Sequence, residues 1–379
     1  MNDSEGWYVM EKLLFADMQA DFSNSLEKKF RKILKKSEWF ETIKEGEIVA
    51  VKVHVGERGN LGYINPNFAR IVVEEIKARG ATPYLTDTNT LYSGGRHNGI
   101  QHSITAMQHG FGYAAVGAPF LPADGVRGLD YREVEVDGRH YTKAKLAGGI
   151  LQAEKIIFLT HFKGHIEAGF GGSIKNLSMG CASVAGKMEQ HAAAKPSVDF
   201  EKCVGCRQCY WACPVDAITM ENKKAVIDYD LCIGCGQCVA ACNYGAMNPG
   251  SAAETKDFIE KVTEYAYAAR EYFGENAFYI NFAMNITPDC DCWPANDVPV
   301  VEDVGFLAGR NPFALDRATM DLVNESRANV GSRHYEKLSG ERKEDLFGHV
   351  WEEVPVGTTF DYVQKQFNVD LGYELRTIK

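Results

Sequence analysis

Eight of the eleven cysteines fall into two matching runs, Cys203-x-x-Cys206-x-x-Cys209-x-x-x-Cys213-Pro214 and Cys232-x-x-Cys235-x-x-Cys238-x-x-x-Cys242. Thiolates are soft ligands, and three of them at this spacing in a tight loop can hold one face of an iron–sulfur cube. The fourth cysteine of each run, opening a helix, reaches the other cluster. The spacing predicts two [4Fe-4S] clusters. Cys203, Cys206, Cys209 and Cys242 are expected to hold one, and Cys232, Cys235, Cys238 and Cys213 the other.

The runs belong to a longer repeat, since Val198-Asp199-Phe200 answers Ile227-Asp228-Tyr229, Gly205 answers Gly234, Gln208 answers Gln237 and Ala212 answers Ala241. A zinc ribbon needs one C-x-x-C pair per half, not four cysteines. Structural disulfides do not suit a chain whose first residues, Met1-Asn2-Asp3-Ser4-Glu5, lack the basic start and apolar core of an export signal. Asn243 stands where the first run has Pro214, which alters the helix start but removes no ligand. The segment from about residue 196 to 250 resembles bacterial-type two-cluster ferredoxins. Tyr210 and Trp211 beside it read as packing and cluster shielding.

A second concentration of polar chemistry runs from Thr160 to Asn176, with His161, Lys163, His165, Glu167, Gly169, Gly171, Gly172 and Lys175, and continues to Cys181 and His191. It begins where a buried strand, Ile156 to Thr160, ends. Loops at the carboxyl ends of parallel strands bind ligands in open α/β sheets, and glycines at 169, 171 and 172 would let backbone N–H groups cradle an anion. The stretch is no Walker A motif, because Gly-Lys-Ser/Thr is missing. The chemistry assigns His165 or His97 as proton donor, Lys175 as anion anchor or cofactor-linking amine, and His191 as metal ligand or acid/base. Cys290-Asp291-Cys292 follows another strand, and its two thiolates suit iron, zinc or nickel, with Cys181 or His191 completing the shell. Against this stands the packing of buried free cysteine as a small hydrophobe.

Three further groups carry a family resemblance: Val53-His54-Val55-Gly56-Glu57, the His165-to-Asn176 stretch, and Met179-Gly180-Cys181-Ala182-Ser183 with Asp289-Cys290-Asp291-Cys292. Together they resemble a family known only as a domain of unknown function, number 362, with an embedded ferredoxin. The resemblance covers nearly the whole chain and implies no reaction. A more distant one is to the nickel-pincer lactate racemases. These carry a His, a Gly-Phe/Tyr-Ser-Gly-Gly-Arg-Lys stretch, a Pro-Gly turn and a later His, the lysine anchoring the cofactor and the last histidine binding nickel. His165, Gly169-Phe170-Gly171-Gly172, Lys175 and His191 fall in that order, and His97 corresponds to an earlier active-site histidine. Ser173-Ile174 and Met179-Gly180 depart from the pattern. The resemblance implies the site and not the racemisation.

These residues need a body to position them. The chain has 379 residues, too many for a ferredoxin alone and enough for two or three domains. An apolar content of 45% allows a large core, and a net charge of -10 argues against nucleic acid or an anionic membrane as partner. No apolar run of about 18 residues exists to span a bilayer. A cytoplasmic protein of a reducing, anaerobic cell is expected. Strand signals at Glu47 to Val53, Thr82 to Thr86, Ile156 to Thr160 and Ala277 to Asn285 alternate with helix signals at Asn67 to Arg79, Thr255 to Phe273 and Pro312 to Val323. Arg132 to Val136 and His140 to Lys143 flank Asp137-Gly138 as a hairpin. The tail from Ser332 gives weak signals.

The expected architecture is an α/β body of β-α-β lobes, residues 1–195 and 251–379, interrupted by an α+β ferredoxin domain at 196–250, with boundaries at Lys195-Pro196 and Pro249-Gly250-Ser251. The expected function is an oxidoreductase whose clusters exchange electrons with a site in the body, acting on a small molecule or a redox partner protein. The competing readings are an electron carrier docking a partner and a racemase-like isomerase or hydrolase with accessory clusters. The sequence leaves the oligomeric state open.

Overall fold

The computed structural model describes residues 10–378 except 93, 192–194, 234–237, 239–240, 243, 249–251, 340–344 and 353, and the side chains of 252–254. Its centre is a mixed eight-stranded sheet. The strands are β1 (Glu11–Asp17), β2 (Ile48–Lys52), β3 (Thr82–Asp87), β4 (Phe120–Pro122), β5 (Lys155–His161), β6 (Ala277–Ala283), β7 (Gly305–Gly309) and β8 (Tyr373–Thr377), in the spatial order β8-β1-β7-β6-β5-β2-β3-β4. Strands β4, β3, β2, β5 and β6 run parallel. β7 is antiparallel to both its neighbours, and β8 lies parallel to β1 at the edge.

The central strands are buried on both faces, which explains their continuous apolar runs. Side chains still alternate between two cores. Val49, Val51, Ile157, Leu159, Phe278, Ile280 and Phe282 enter one, and Ala50, Ile156, Phe158, Ala277 and Tyr279 enter the other. Two covering helices start the same way: in Pro66–Lys77 and Pro312–Glu325 a proline takes the first turn, where its missing N–H costs nothing, and the preceding Asn65 or Asn311 side chain accepts the next free N–H groups.

Three sequence expectations shift. The hairpin pairs Tyr131–Glu135 with Lys143–Ala147, so its second strand starts at Lys143 and not at His140. The backbone N–H groups of His140 and Tyr141 are instead held by the buried Glu264 carboxylate at 2.9 Å each, a tertiary contact that outweighs a two-residue turn. Gly169–Gly171 is not a free turn but a short strand paired with Lys163–His165. The tail is ordered further than its composition implies, with a helix at Thr358–Phe367 before β8.

Between β5 and β6 the chain leaves the sheet for the cysteine-rich segment. Ser197–Val198 pairs antiparallel with Met247–Asn248, bringing the two ends of the segment together. Ile218–Glu221 pairs with Lys224–Ile227, and a small separate core forms from Cys203, Cys209, Ile218, Ala225, Ile227, Cys238, Ala246 and Met247. Of the two expected boundaries, Lys195-Pro196 immediately precedes the first strand of this pairing, whereas Pro249-Gly250-Ser251 falls outside the described residues. No helix among the described residues is long and apolar enough to cross a membrane.

Candidate functional site

From β2 the chain moves outward to β3 and β4, then returns to β5 on the other side of β2, so the strand order reverses between β2 and β5. An open α/β sheet splays its loops apart at such a point, and a crevice opens at the carboxyl ends of the strands. A cavity of about 150 Å³ lies there. His54 comes to it from the end of β2, Asp87 and Thr88 from β3, His161 from β5, and Asp289 to Trp293 from the loop after β6.

The floor is a buried charge network. Lys52, fully buried within β2, reaches Asp87 Oδ1 at 2.8 Å and Asn176 Oδ1 at 2.7 Å. Arg96 and His102 approach Asp87 Oδ2 at 3.5 and 3.6 Å, and Arg96 also bonds Glu57 at 3.3 Å. Burial pushes the Asp87 carboxyl up, but Lys52 and the contact with His102 outweigh it and hold it well below the usual carboxylate range. Lys187 donates to the Thr88 hydroxyl and the Ala182 carbonyl, both at 2.6 Å, and burial pushes its amine down to about 8.

Two histidines share one arrangement. His54 Nδ1 accepts from Gly56 N at 3.1 Å, and His165 Nδ1 accepts from Glu167 N and Ala168 N, each at 3.1 Å. A ring nitrogen that accepts carries no proton, so each neutral imidazole keeps its proton on Nε2. Burial holds both rings well below the usual histidine range, reinforced by Arg96 for His54 and by Lys175, His191 and Lys163 for His165. A third, His161, contacts Asp291 through Nδ1 at 2.9 Å and the Met284 and Asn285 carbonyls through Nε2 at 3.0 Å. Lys163 adds to this cluster, with Nζ 3.3 Å from Asp291. Burial opposes ionisation of Asp291, yet His161 and Lys163 hold its carboxyl far below the usual range.

Of the residues the sequence nominated, His165, Lys175 and His191 converge on this cavity. Burial lowers the Lys175 amine and raises the Glu167 carboxyl, each partly offset by the other, so the two share protons across the neutral range. His191 lies 3.9 Å from Glu167 and stacks on Phe258. His97 does not join them: its ring is exposed and contacts Gly94 O and the Asn98 amide, both at 2.7 Å. Its neighbour Arg96 turns inward instead. The glycine cradle is also filled, because Asp316 accepts from Ser173 N and Ile174 N at 2.8 Å each. A Cβ at Gly172 would lie 2.5 Å from that carboxylate, so the glycine admits the protein's own anion and not a ligand. Gly169 and Gly171 serve the hairpin, though Gly171 and Gly172 do line the cavity.

Cys290 and Cys292 line the cavity and are joined to each other by a disulfide. With His165 they offer three ligand atoms within 4.8 Å of one another. Cys181 is not part of this group. It is fully buried, its thiol faces Asn176 O, and burial pushes it up to about 12. The sequence missed Asp87, Glu57 and Asp316 as site builders, because nothing local distinguishes an acid that will be buried beside a distant cation.

In the cysteine segment, one cavity of about 20 Å³ is lined by Cys203, Cys206, Cys209 and Cys242, and another of the same size by Cys213, Cys232 and Cys238. Cys235 lies outside the described residues. Ala217 N donates to Cys213 Sγ and Ala246 N to Cys242 Sγ, both at 3.2 Å, so the repeat extends to the hydrogen bonds on the fourth cysteine. Gly205 has φ +73°, and a Cβ there would fall 2.2 Å from Lys223 O, which only glycine tolerates. Ile166 lines the cavity of the α/β body and also packs against the cysteine core.

A family model described as a domain of unknown function, DUF362, matches residues 49–321. No curated protein matches. Among solved structures, the lactate racemase apoprotein from Thermoanaerobacterium thermosaccharolyticum is 10% identical with a TM-score of 0.38, the match covering 73% of this chain and 51% of that one. A structural-genomics protein from Thermotoga maritima is 12% identical with a TM-score of 0.43, covering 81% of this chain and 60% of that one. This chain thus spans about half to three fifths of the length of these two proteins.

Proposed function

The chain belongs to the DUF362 family, which prescribes no reaction, and we propose from its own residues that it is an iron–sulfur oxidoreductase whose α/β cleft exchanges electrons with the cysteine segment. The observation that carries this reading is the sorting of the cysteines: Cys242 lines the cavity of the first run and Cys213 that of the second, the crossed pattern expected of two cubanes. The donor sets fit. Soft sulfurs converge on two small cavities with apolar walls, and a backbone N–H stands ready at each fourth sulfur to stabilise its negative charge. Bound there, [4Fe-4S] clusters would supply one-electron transfer.

The cleft supplies what electron transfer alone lacks. His54 and His165 present Nε2–H donors, and Lys175 a buried amine, to whatever enters. An acceptor-bearing substrate would be oriented by these three groups, and the Glu167–Lys175 pair can give or take a proton near neutral pH. Ile166, which lines the cleft and packs against the cysteine core, touches both regions.

Metal and sulfide analysis of anaerobically purified protein tests the first part, with about eight iron and eight sulfide per chain expected. Zinc in place of iron, or a colourless protein, would sink it. Oxidation of the reduced chromophore by a small-molecule substrate, with no acceptor protein added, separates this reading from a carrier that docks a partner.

A further inference from the structure

We propose that Cys290 and Cys292 are a reversible dithiol–disulfide couple, the two-electron centre of the cleft. A disulfide that closes a loop across one intervening residue restricts the unfolded chain very little, so it contributes almost nothing to stability. Its location is what distinguishes it. Both cysteines line the cavity. Asp291, between them, is fixed by His161 at 2.9 Å, and the Tyr92 hydroxyl donates to Cys292 O at 2.9 Å, so the sulfurs are presented from a loop held at both ends.

The surroundings suit proton-coupled electron uptake. A ring nitrogen of His165 lies within 4.8 Å of both sulfurs, and with Nδ1 occupied by two backbone N–H groups the neutral ring can donate a hydrogen bond from Nε2 that stabilises a thiolate as the disulfide opens. That tautomer also disfavours a metal there, because ligation through Nε2 would require removing its proton. The next residue, Ile166, packs against the buried core of the cysteine segment, so two consecutive residues lead from the disulfide to that segment. In reduction the S–S bond breaks, two electrons come from the donor and two protons from solvent water, and two S–H bonds form. A low-potential one-electron donor supplies the electrons in two single steps and is itself oxidised. Their passage through the cysteine segment rests on the function proposed above.

Anaerobic protein is titrated with a photoreduced deazaflavin, electron uptake is measured, and samples are quenched, denatured and alkylated with N-ethylmaleimide for peptide mass spectrometry. Wild type should take up about two electrons per chain more than the Cys290→Ser/Cys292→Ser variant, and its 290–292 peptide should gain two labels only after reduction. Equal uptake, or full labelling before reduction, overturns the couple. So does about one metal ion per chain, beyond the cluster iron, that the double variant loses. Iron and sulfide are measured in the same samples. Clusters without extra electrons sink the couple alone. Reduction-dependent labelling without iron supports the couple and sinks the cluster reading. The labelling on wild type stands even where the variant fails to fold.

Discussion

Asp87→Asn removes one charge and almost no volume from the floor of the cleft, and its cost follows from what is left behind. Lys52 is fully buried and loses the carboxylate charge at 2.8 Å, keeping only neutral amide oxygens, that of Asn176 at 2.7 Å and the one left at position 87. Arg96 suffers less, since Glu57 remains its partner at 3.3 Å. Breaking a buried pair typically costs 3–5 kcal/mol because a charge remains uncompensated, and with one strongly orphaned cation the lower end applies, about 3 kcal/mol. Urea denaturation followed by fluorescence should show a lower midpoint with an unchanged slope. Replacing the orphan as well, in Lys52→Met/Asp87→Asn, should restore stability to within about 1 kcal/mol of wild type, because two neutral groups need no pairing. If the double variant is as unstable as the single one, or the single loses less than about 1 kcal/mol, the penalty does not come from an unpaired charge.

Lys187 gives a pH signature. Its folded value of about 8 lies below its ordinary 10.5, so a penalty of about 3 kcal/mol is fully present below pH 8 and relieved as pH rises to 10.5. The difference in unfolding free energy between Lys187→Met and wild type should therefore shrink through that window, and a pH-independent difference would contradict the burial argument. Asp316→Ala strips acceptors from Ser173 N, Ile174 N and the Asn281 amide, and should cost on the order of 3 kcal/mol in urea denaturation. Joining Lys195 to Ser251 through a short linker, with 196–250 deleted, should leave a body that unfolds cooperatively by calorimetry, since Ser197 and Asn248 are paired neighbours; a broad, non-cooperative transition would make the segment part of the main core.

The parts of this molecule that the sequence made legible are those whose cause is local. The spacing that lets the two cysteine runs sort onto two small cavities is a local property, and so are the apolar runs of β2, β5 and β6, buried on both faces. Edge strands fail that test: β8 reads Tyr373-Glu374-Leu375-Arg376-Thr377, two of its five residues charged, and becomes a strand only because β1 is beside it. The same holds in the site. His165, Lys175 and His191 were visible as a dense polar stretch ending a strand, whereas choosing between His97 and Arg96 required knowing which way a loop turns. The glycines read as a cradle for a bound anion, whereas the carboxylate held at Ser173 N and Ile174 N is that of Asp316, 143 residues from Ser173.

The reversed strand β7 has a consequence for how the molecule keeps to itself. Its two neighbours are β6 and the N-terminal β1, and β1 in turn is covered by the C-terminal β8. A fragment trimmed to the family match, 49–321, would lose both outer strands and leave Phe306-Leu307-Ala308 as a bare, apolar sheet margin with unpaired N–H and C=O groups. Such a margin is a template for another chain. Strands β1 and β8, both outside the matched region, cover this margin, and the exposed Glu374 and Arg376 of β8 offer another strand little apolar surface to pack against.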